Sequence, residues 1–186
     1  IFIDAATHCS RYLTLLLYEW IDLELFSIAP YEVSNGYIIY DANGIETKCF
    51  NVKDGMGVKS VKLAGVKTAI ITGRSSAMVN QRAKEMGIDY VIQGRDDKLE
   101  ALKQLLLDLP VELEECAYMG DDLPDIKALQ SVGFSATVPN AHPEVLSRVM
   151  MVTTHIGGEG AVREVCDLIL KGHGKYQDYI SQYVLD

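Results

Sequence analysis

The amino-acid sequence predicts an α/β protein on a doubly wound parallel sheet, with a β-hairpin ahead of the main run of elements. Three observations lead there. From Gly36 onward, short β-branched apolar runs alternate with amphipathic helical segments. The runs are almost continuously apolar, as a strand covered on both faces should be. Polar residues of chemical use follow several of these runs directly, at the sheet edge where open α/β folds bind ligands.

Taken in order, Tyr37–Tyr40 and Thr47–Val52 flank Asn43-Gly44, a strong hairpin turn pair. Residues 56–65 have helical spacing and end at Gly65, a natural C-cap. Lys67–Thr72 reads as a buried strand running into Gly-Arg-Ser-Ser. Residues 76–87 form a helix closed by Gly87, 89–94 a strand, and 97–109 an amphipathic helix stopped before Pro110. Residues 114–122 make a strand that ends in acids. Then come a helix over 123–133, a strand at 134–138, a helix over 142–149, a strand at 150–154 and a last amphipathic helix over 160–174. Right-handed crossovers between such strands cover both faces of the sheet.

The 186 residues fit one domain, 1–186, with an atypical opening segment at 1–35, a hairpin at 37–52 and a C-terminal tail at 172–186. A formal charge of -9 and a pI near 4.9 argue against nucleic acid as a partner, because a phosphate backbone needs a basic face. Cys9, Cys49, Cys116 and Cys166 are scattered without CxxC or zinc-ligand spacing, as expected of free thiols in a reducing compartment. The apolar run Leu13–Tyr18 is too short to span a membrane and lacks the flanks of a secretory signal. The expected location is the cytoplasm, with no membrane partner. The chain opens on Ile1 rather than Met, so its first residue is expected not to be the native start.

Three strand ends carry the chemistry. Thr72-Gly73-Arg74-Ser75-Ser76 opens a helix, and a hydroxyl with free backbone N–H groups there can cradle a phosphate. The same residues would serve as an ordinary N-cap. Lys98 stands at the start of a helix, the wrong end for the helix dipole, after Asp96 and Asp97. It is either a solvated charge or a lysine aimed at a phosphate. Asp121, Asp122 and Asp125 crowd three carboxylates into five residues. Capping accounts for one of them, and a hard cation such as Mg²⁺ for the group. On successive strand tips these pieces describe a Mg²⁺-dependent phosphoryl-transfer site.

The segments AIITGRSS, QGRDDKLEAL, AYMGDDLPD, NAHPEV and GGEGAVREVCDLIL, with the hairpin NGYIIYDANGIETKCFNVKDGMG, resemble the haloacid dehalogenase superfamily. More narrowly they resemble its 3-deoxy-D-manno-octulosonate 8-phosphate (KDO 8-phosphate) phosphatases. The resemblance implies a HAD/Rossmann-like fold, with the hairpin inserted after the first strand and no large cap domain. It implies a Mg²⁺-dependent phosphatase of a small phosphorylated sugar acid, serving lipopolysaccharide biosynthesis and assembled as a homotetramer through the hairpin and tail. Thr72 and Lys98 then take the catalytic hydroxyl and lysine positions. Gly73, Arg74, Asp54 and Arg163 become candidate substrate contacts, and Asp121, Asp122 and Asp125 the metal group, with Asp125 as the supporting acid.

Two departures accompany the resemblance. Glu159 replaces the family's Arg within Gly157–Gly160, which reverses a charge in the tail segment. The family also carries Asp-x-Asp before the hairpin, as nucleophile and acid/base. Aligned on Gly36, those positions fall on Ile28 and Pro30. Several readings stay open: displaced acids (Asp22 with Glu24, or Asp4), a segment 1–35 that is not native, a catalytically dead oligomerisation module, or a phosphatase of another sugar-acid phosphate.

Overall fold

The structure, a computed structural model, describes residues 23–29 and 36–185. Six strands form one sheet: β1 (Leu25–Ile28), β4 (Lys67–Thr72), β5 (Tyr90–Gln93), β6 (Cys116–Met119), β7 (Phe134–Thr137) and β8 (Met151–Val152). Their order is β5-β4-β1-β6-β7-β8, and every neighbouring pair is parallel. The chain moves outward from β1 through β4 to β5, then returns to β6 on the other side of β1. This reversal beside β1 is the switch point at which such sheets open a crevice.

The central strand β1 is one that the periodicity did not assign. Leu-Phe-Ser-Ile is only four residues long and buried throughout, so neither alternation nor flanking turns mark it. Its ladder pairs Ile28 with both Ile70 and Met119. At its other end Glu24 donates its N–H to Glu115 and accepts from Lys67, at 2.9 and 2.8 Å. Glu24 therefore lies at the amino edge, about 16 Å of strand away from Ala29 at ~3.3 Å per residue. That removes Glu24 from any displaced acid pair at the site. Asp22 and Asp4 lie outside the described residues.

The hairpin is shorter than expected, with β2 (Ile39–Tyr40) paired to β3 (Glu46–Thr47). Its turn is held by the Asp41 carboxylate, which accepts the N–H groups of Asn43 and Ile45 at 2.8 Å each. Residues 48–52 do not extend the strand. The Asn51 side chain instead accepts the Lys53 N–H at 2.8 Å and starts helix α1 (Val52–Ser60), four residues before the apolar pattern suggests. A 3₁₀ turn at Val61–Ala64 follows and stops at Gly65, whose φ is 81°. The next helices fall inside their predicted spans: α2 (Ala77–Met86), α3 (Lys98–Leu106), α4 (Ile126–Leu129), α5 (Pro143–Leu146) and α6 (Ala161–Gly172). The tail adds α7 (Tyr176–Ile180).

Crossovers of one hand put α1 and α2 on one face and α3 and α4 on the other. The packing agrees: α1 lies against α2 and α6, and α3 against α4. The α1–α6 seam is close. A Cβ on Gly57 would stand 2.9 Å from the Arg163 Cα and 3.2 Å from the Cys166 Cβ, so only glycine fits. Asp54, one turn earlier, is fully buried and accepts the N–H groups of Gly160 and Arg163 at 3.3 and 2.9 Å. It caps α6 from another helix. Desolvation raises the Asp54 pKa despite those two bonds.

A second carboxylate ties the segment before α6 to that helix. Glu164 accepts the Thr154 N–H at 3.0 Å and lies 2.9 Å from the His155 Nδ1. Burial alone would raise its pKa, but the bonds from His155 and Thr154 prevail and hold it below the ordinary glutamate value.

Two outcomes follow for stability. Gly57→Ala should cost about 1–3 kcal/mol, because the added methyl meets backbone rather than a movable side-chain end. Urea unfolding that showed no loss would mean the seam can open freely. Glu164→Gln should lose about 1–2 kcal/mol at neutral pH. Because the folded pKa of Glu164 is depressed, its contribution is present above the unfolded value and fades as pH falls through the folded one. The gap between wild type and variant should therefore close on acidification below the ordinary glutamate range. A gap independent of pH would show that the charge is irrelevant.

Candidate functional site

The expected residues meet at the carboxyl edge of the sheet. Thr72 ends β4, Asp121 follows β6 by two residues, and the tip of β1 lies between them. Thr72 and Asp121 stand about 10 Å apart across two strand spacings, one on either side of the line of β1. Thr72 is buried; its hydroxyl accepts the Arg74 N–H at 3.1 Å, which curls the backbone into a loop before α2. Gly73 leaves room in that loop for the Asp96 carboxylate, which a Cβ would overlap. The Arg74 guanidinium is half-exposed and reaches Glu46 of the hairpin at 3.6 Å.

Lys98 is nearly fully buried, although it opens a helix. Its ammonium donates to the Asp125 Oδ1 at 2.9 Å, with side-chain exposures of 8% and 3%, so it is not a solvated charge. The same oxygen accepts the Tyr118 hydroxyl at 2.8 Å. The other oxygen of Asp125 accepts the Asp122 N–H at 3.3 Å, and Asp122 accepts the Leu123 N–H at 2.8 Å. These two acids form a capping box around the 3₁₀ turn Leu123–Asp125. Capping thus accounts for two carboxylates rather than one. Asp125 is bonded to Lys98, Tyr118 and the Asp122 N–H, the contacts of a supporting acid rather than of a direct metal ligand. Gly120 permits this turn: a Cβ there would lie 2.6 Å from the Cβ and Cγ of Asp125.

Asp121 is the exception. Its Oδ1 is buried and has no hydrogen-bond partner among the described residues. Desolvation, then the nearby charges of Asp125 and Asp122, push its pKa up to about 6, partly offset by Lys98. An orphaned carboxylate oxygen under negative potential fits a hard cation. Among the described residues no three acidic, histidine or cysteine side chains form a ready ligand set. Mg²⁺ characteristically keeps several waters and binds through one or two carboxylates and substrate phosphate.

Two expected substrate contacts have other work. Asp54 is sealed in the α1–α6 seam and has no access to a ligand. Arg163 donates to Asp167 at 2.7 Å and stacks over the Tyr179 ring, with 5.3 Å to its centroid. Asp54 lies in the first turn of α1, just after the hairpin, and Arg163 in the first turn of α6, the segment that the resemblance matched to the tail. Tyr118 was missed; a tyrosine inside an apolar strand carries no signal of a polar partner. At the tip of β1, Ile28 and Ala29 are fully buried, and the Ala29 N–H continues the ladder to Met119 at 2.9 Å. Neither can act as a nucleophile.

Comparison with known proteins places these features in company. Residues 91–165 match the family described as haloacid dehalogenase-like hydrolase. The 3-deoxy-D-manno-octulosonate 8-phosphate phosphatase KdsC of Escherichia coli (strain K12) is 42% identical over 152 residues, 82% of this chain and 81% of that protein. The Moraxella catarrhalis phosphatase of the same name, solved with magnesium, phosphate and KDO, superposes with a TM-score of 0.88 at 46% identity. It covers 94% of this chain and 99% of its own. The cobalt-bound Haemophilus influenzae phosphatase superposes with a TM-score of 0.80 at 32% identity, covering 88% and 94%.

Proposed function

This chain belongs to the KDO 8-phosphate phosphatase family of the haloacid dehalogenase superfamily, and we propose that it is a Mg²⁺-dependent phosphomonoesterase that converts KDO 8-phosphate to KDO and phosphate. The observation that carries the reading is the convergence of Thr72, Lys98 and the orphaned Asp121 oxygen at one sheet edge. The Thr72 hydroxyl, which accepts the Arg74 N–H, keeps its own proton to donate to a phosphate oxygen. Lys98 offers its remaining ammonium protons to the phosphate oxygens, held in place by Asp125. Asp121 is the residue to hold the ion, which when bound would neutralise phosphate charge. Arg74, half-exposed and within 3.6 Å of Glu46 of the hairpin, would be the cation to meet the acidic sugar. The activity would serve lipopolysaccharide synthesis in the cytoplasm.

The hairpin supports a homotetramer. Tyr37, Ile39, Tyr40 and Ile45 are exposed in the single chain, with Tyr37 at 70%, and form an apolar strip that a second copy would cover. A double substitution of Tyr37 and Ile45 by Ser should shift the mass in solution, measured by light scattering, from tetramer to smaller species. A wild-type monomer would refute the assembly.

Attack on phosphorus needs a carboxylate at the tip of β1. Ile28 and Ala29 stand there among the described residues, and this favours a second reading, a non-catalytic module of the same fold. Phosphate release from KDO 8-phosphate decides between the two. The phosphatase reading expects turnover that requires Mg²⁺ and falls at least about 100-fold in Asp121→Asn. Folded protein that binds Mg²⁺ without turnover would establish the module instead.

A further inference from the structure

We infer that Tyr118 is a positioning residue, whose buried hydroxyl sets the phosphate-binding lysine through Asp125. The inference rests on the reading of Lys98 as a phosphate ligand. Tyr118 lies in β6, the strand next to the switch point, and its ring is fully buried. Its register partners on either side are Ser27 and Ser135, two small residues that leave room for an aromatic ring between them. From there its O–H donates across seven residues to the Asp125 Oδ1 at 2.8 Å.

That oxygen is shared. Lys98 donates to it at 2.9 Å, while the Asp122 N–H engages the other oxygen at 3.3 Å. Asp125 sits on a short 3₁₀ turn rather than in the sheet. The Tyr118 hydroxyl is the bond that ties this carboxylate to a strand paired on both sides. It has two consequences. It holds the carboxylate plane so that the lysine approaches along one line. It also takes up part of the accepting capacity of Oδ1, so that the acid does not claim a second ammonium proton. Two of the three protons of Lys98 stay available to phosphate oxygens. A tyrosine that merely fills the core needs some acceptor for its hydroxyl; this one uses the carboxylate that holds the lysine.

The test is Tyr118→Phe, which removes one oxygen and keeps the ring. With Mg²⁺ present, titration calorimetry should show inorganic phosphate binding weakened about three- to tenfold. Affinity for Mg²⁺ alone should stay within about twofold. In a Lys98→Met background, Tyr118→Phe should weaken phosphate binding no further, because its effect passes through the lysine. Full phosphate affinity in Tyr118→Phe, or equal losses with and without Lys98, would overturn the inference. If Tyr118→Phe does not fold, 3-fluorotyrosine at position 118 keeps ring and donor and should change phosphate affinity about twofold; no change overturns it. If the wild type binds no phosphate, the functional reading fails separately. The inference then depends on urea unfolding, where additive losses for Tyr118→Phe and Lys98→Met would sink it.

Discussion

The buried ion pair between Lys98 and Asp125 is the constraint on which the rest of the site depends. Removing two charges from water is costly and is offset only where both are well bonded. This requirement accounts for the neighbourhood. Tyr118 and the Asp122 N–H take the remaining capacity of Asp125, Gly120 lets the turn come close enough, and α3 begins where its first residue can reach across. A lysine at a helix N-terminus is unfavourable by itself. It is tolerated here because the partner carboxylate supplies a stronger field at shorter range.

A second constraint is the register of β1. Parallel pairing with β4 and β6 sets Ile28 level with Ile70 and Met119, two residues before Thr72 and Asp121. That ladder makes the chemical tension concrete. Thr72 and Asp121 stand at the carboxyl ends of the two flanking strands, while Ile28 and Ala29 are the last described residues of the strand between them. It also removes one remedy, since Glu24 is bonded at the opposite edge. The same pairing that builds the crevice therefore sets the terms on which catalysis can be claimed.

The α1–α6 seam shows a different use of charge. Asp54 is acidic, near the carboxyl edge and just after the hairpin, all features that suggest a ligand contact. Its carboxylate instead satisfies the first N–H groups of α6, whose N-cap is a glycine without a side chain to do so. Burial and capping act against each other on its ionisation, and burial prevails. Arg163, on the far side of the same cap, is drawn into α6 and α7 by Asp167 and Tyr179. A residue's place along the chain can match a site while its side chain serves the helix beside it.

The sequence by itself determined the alternation of strand and helix, the strand tips that matter and the chemical class of the site. Those features are local. Apolar runs, Gly65 and Gly87 as helix stops, and Thr72, Lys98 and Asp121 after strands are all visible within a few residues. Tertiary structure decided what depends on partners distant in the chain. It placed β1 at the centre of the sheet, because a four-residue strand is recognisable only by what pairs with it on both sides. It split the acidic cluster into a capping pair and one orphaned carboxylate, because three identical side chains differ only in which donors reach them. It enlisted Tyr118 in the site and Asp54 in a helix cap, since a hydrogen bond between residues 7 or 106 positions apart leaves no periodic trace in sequence.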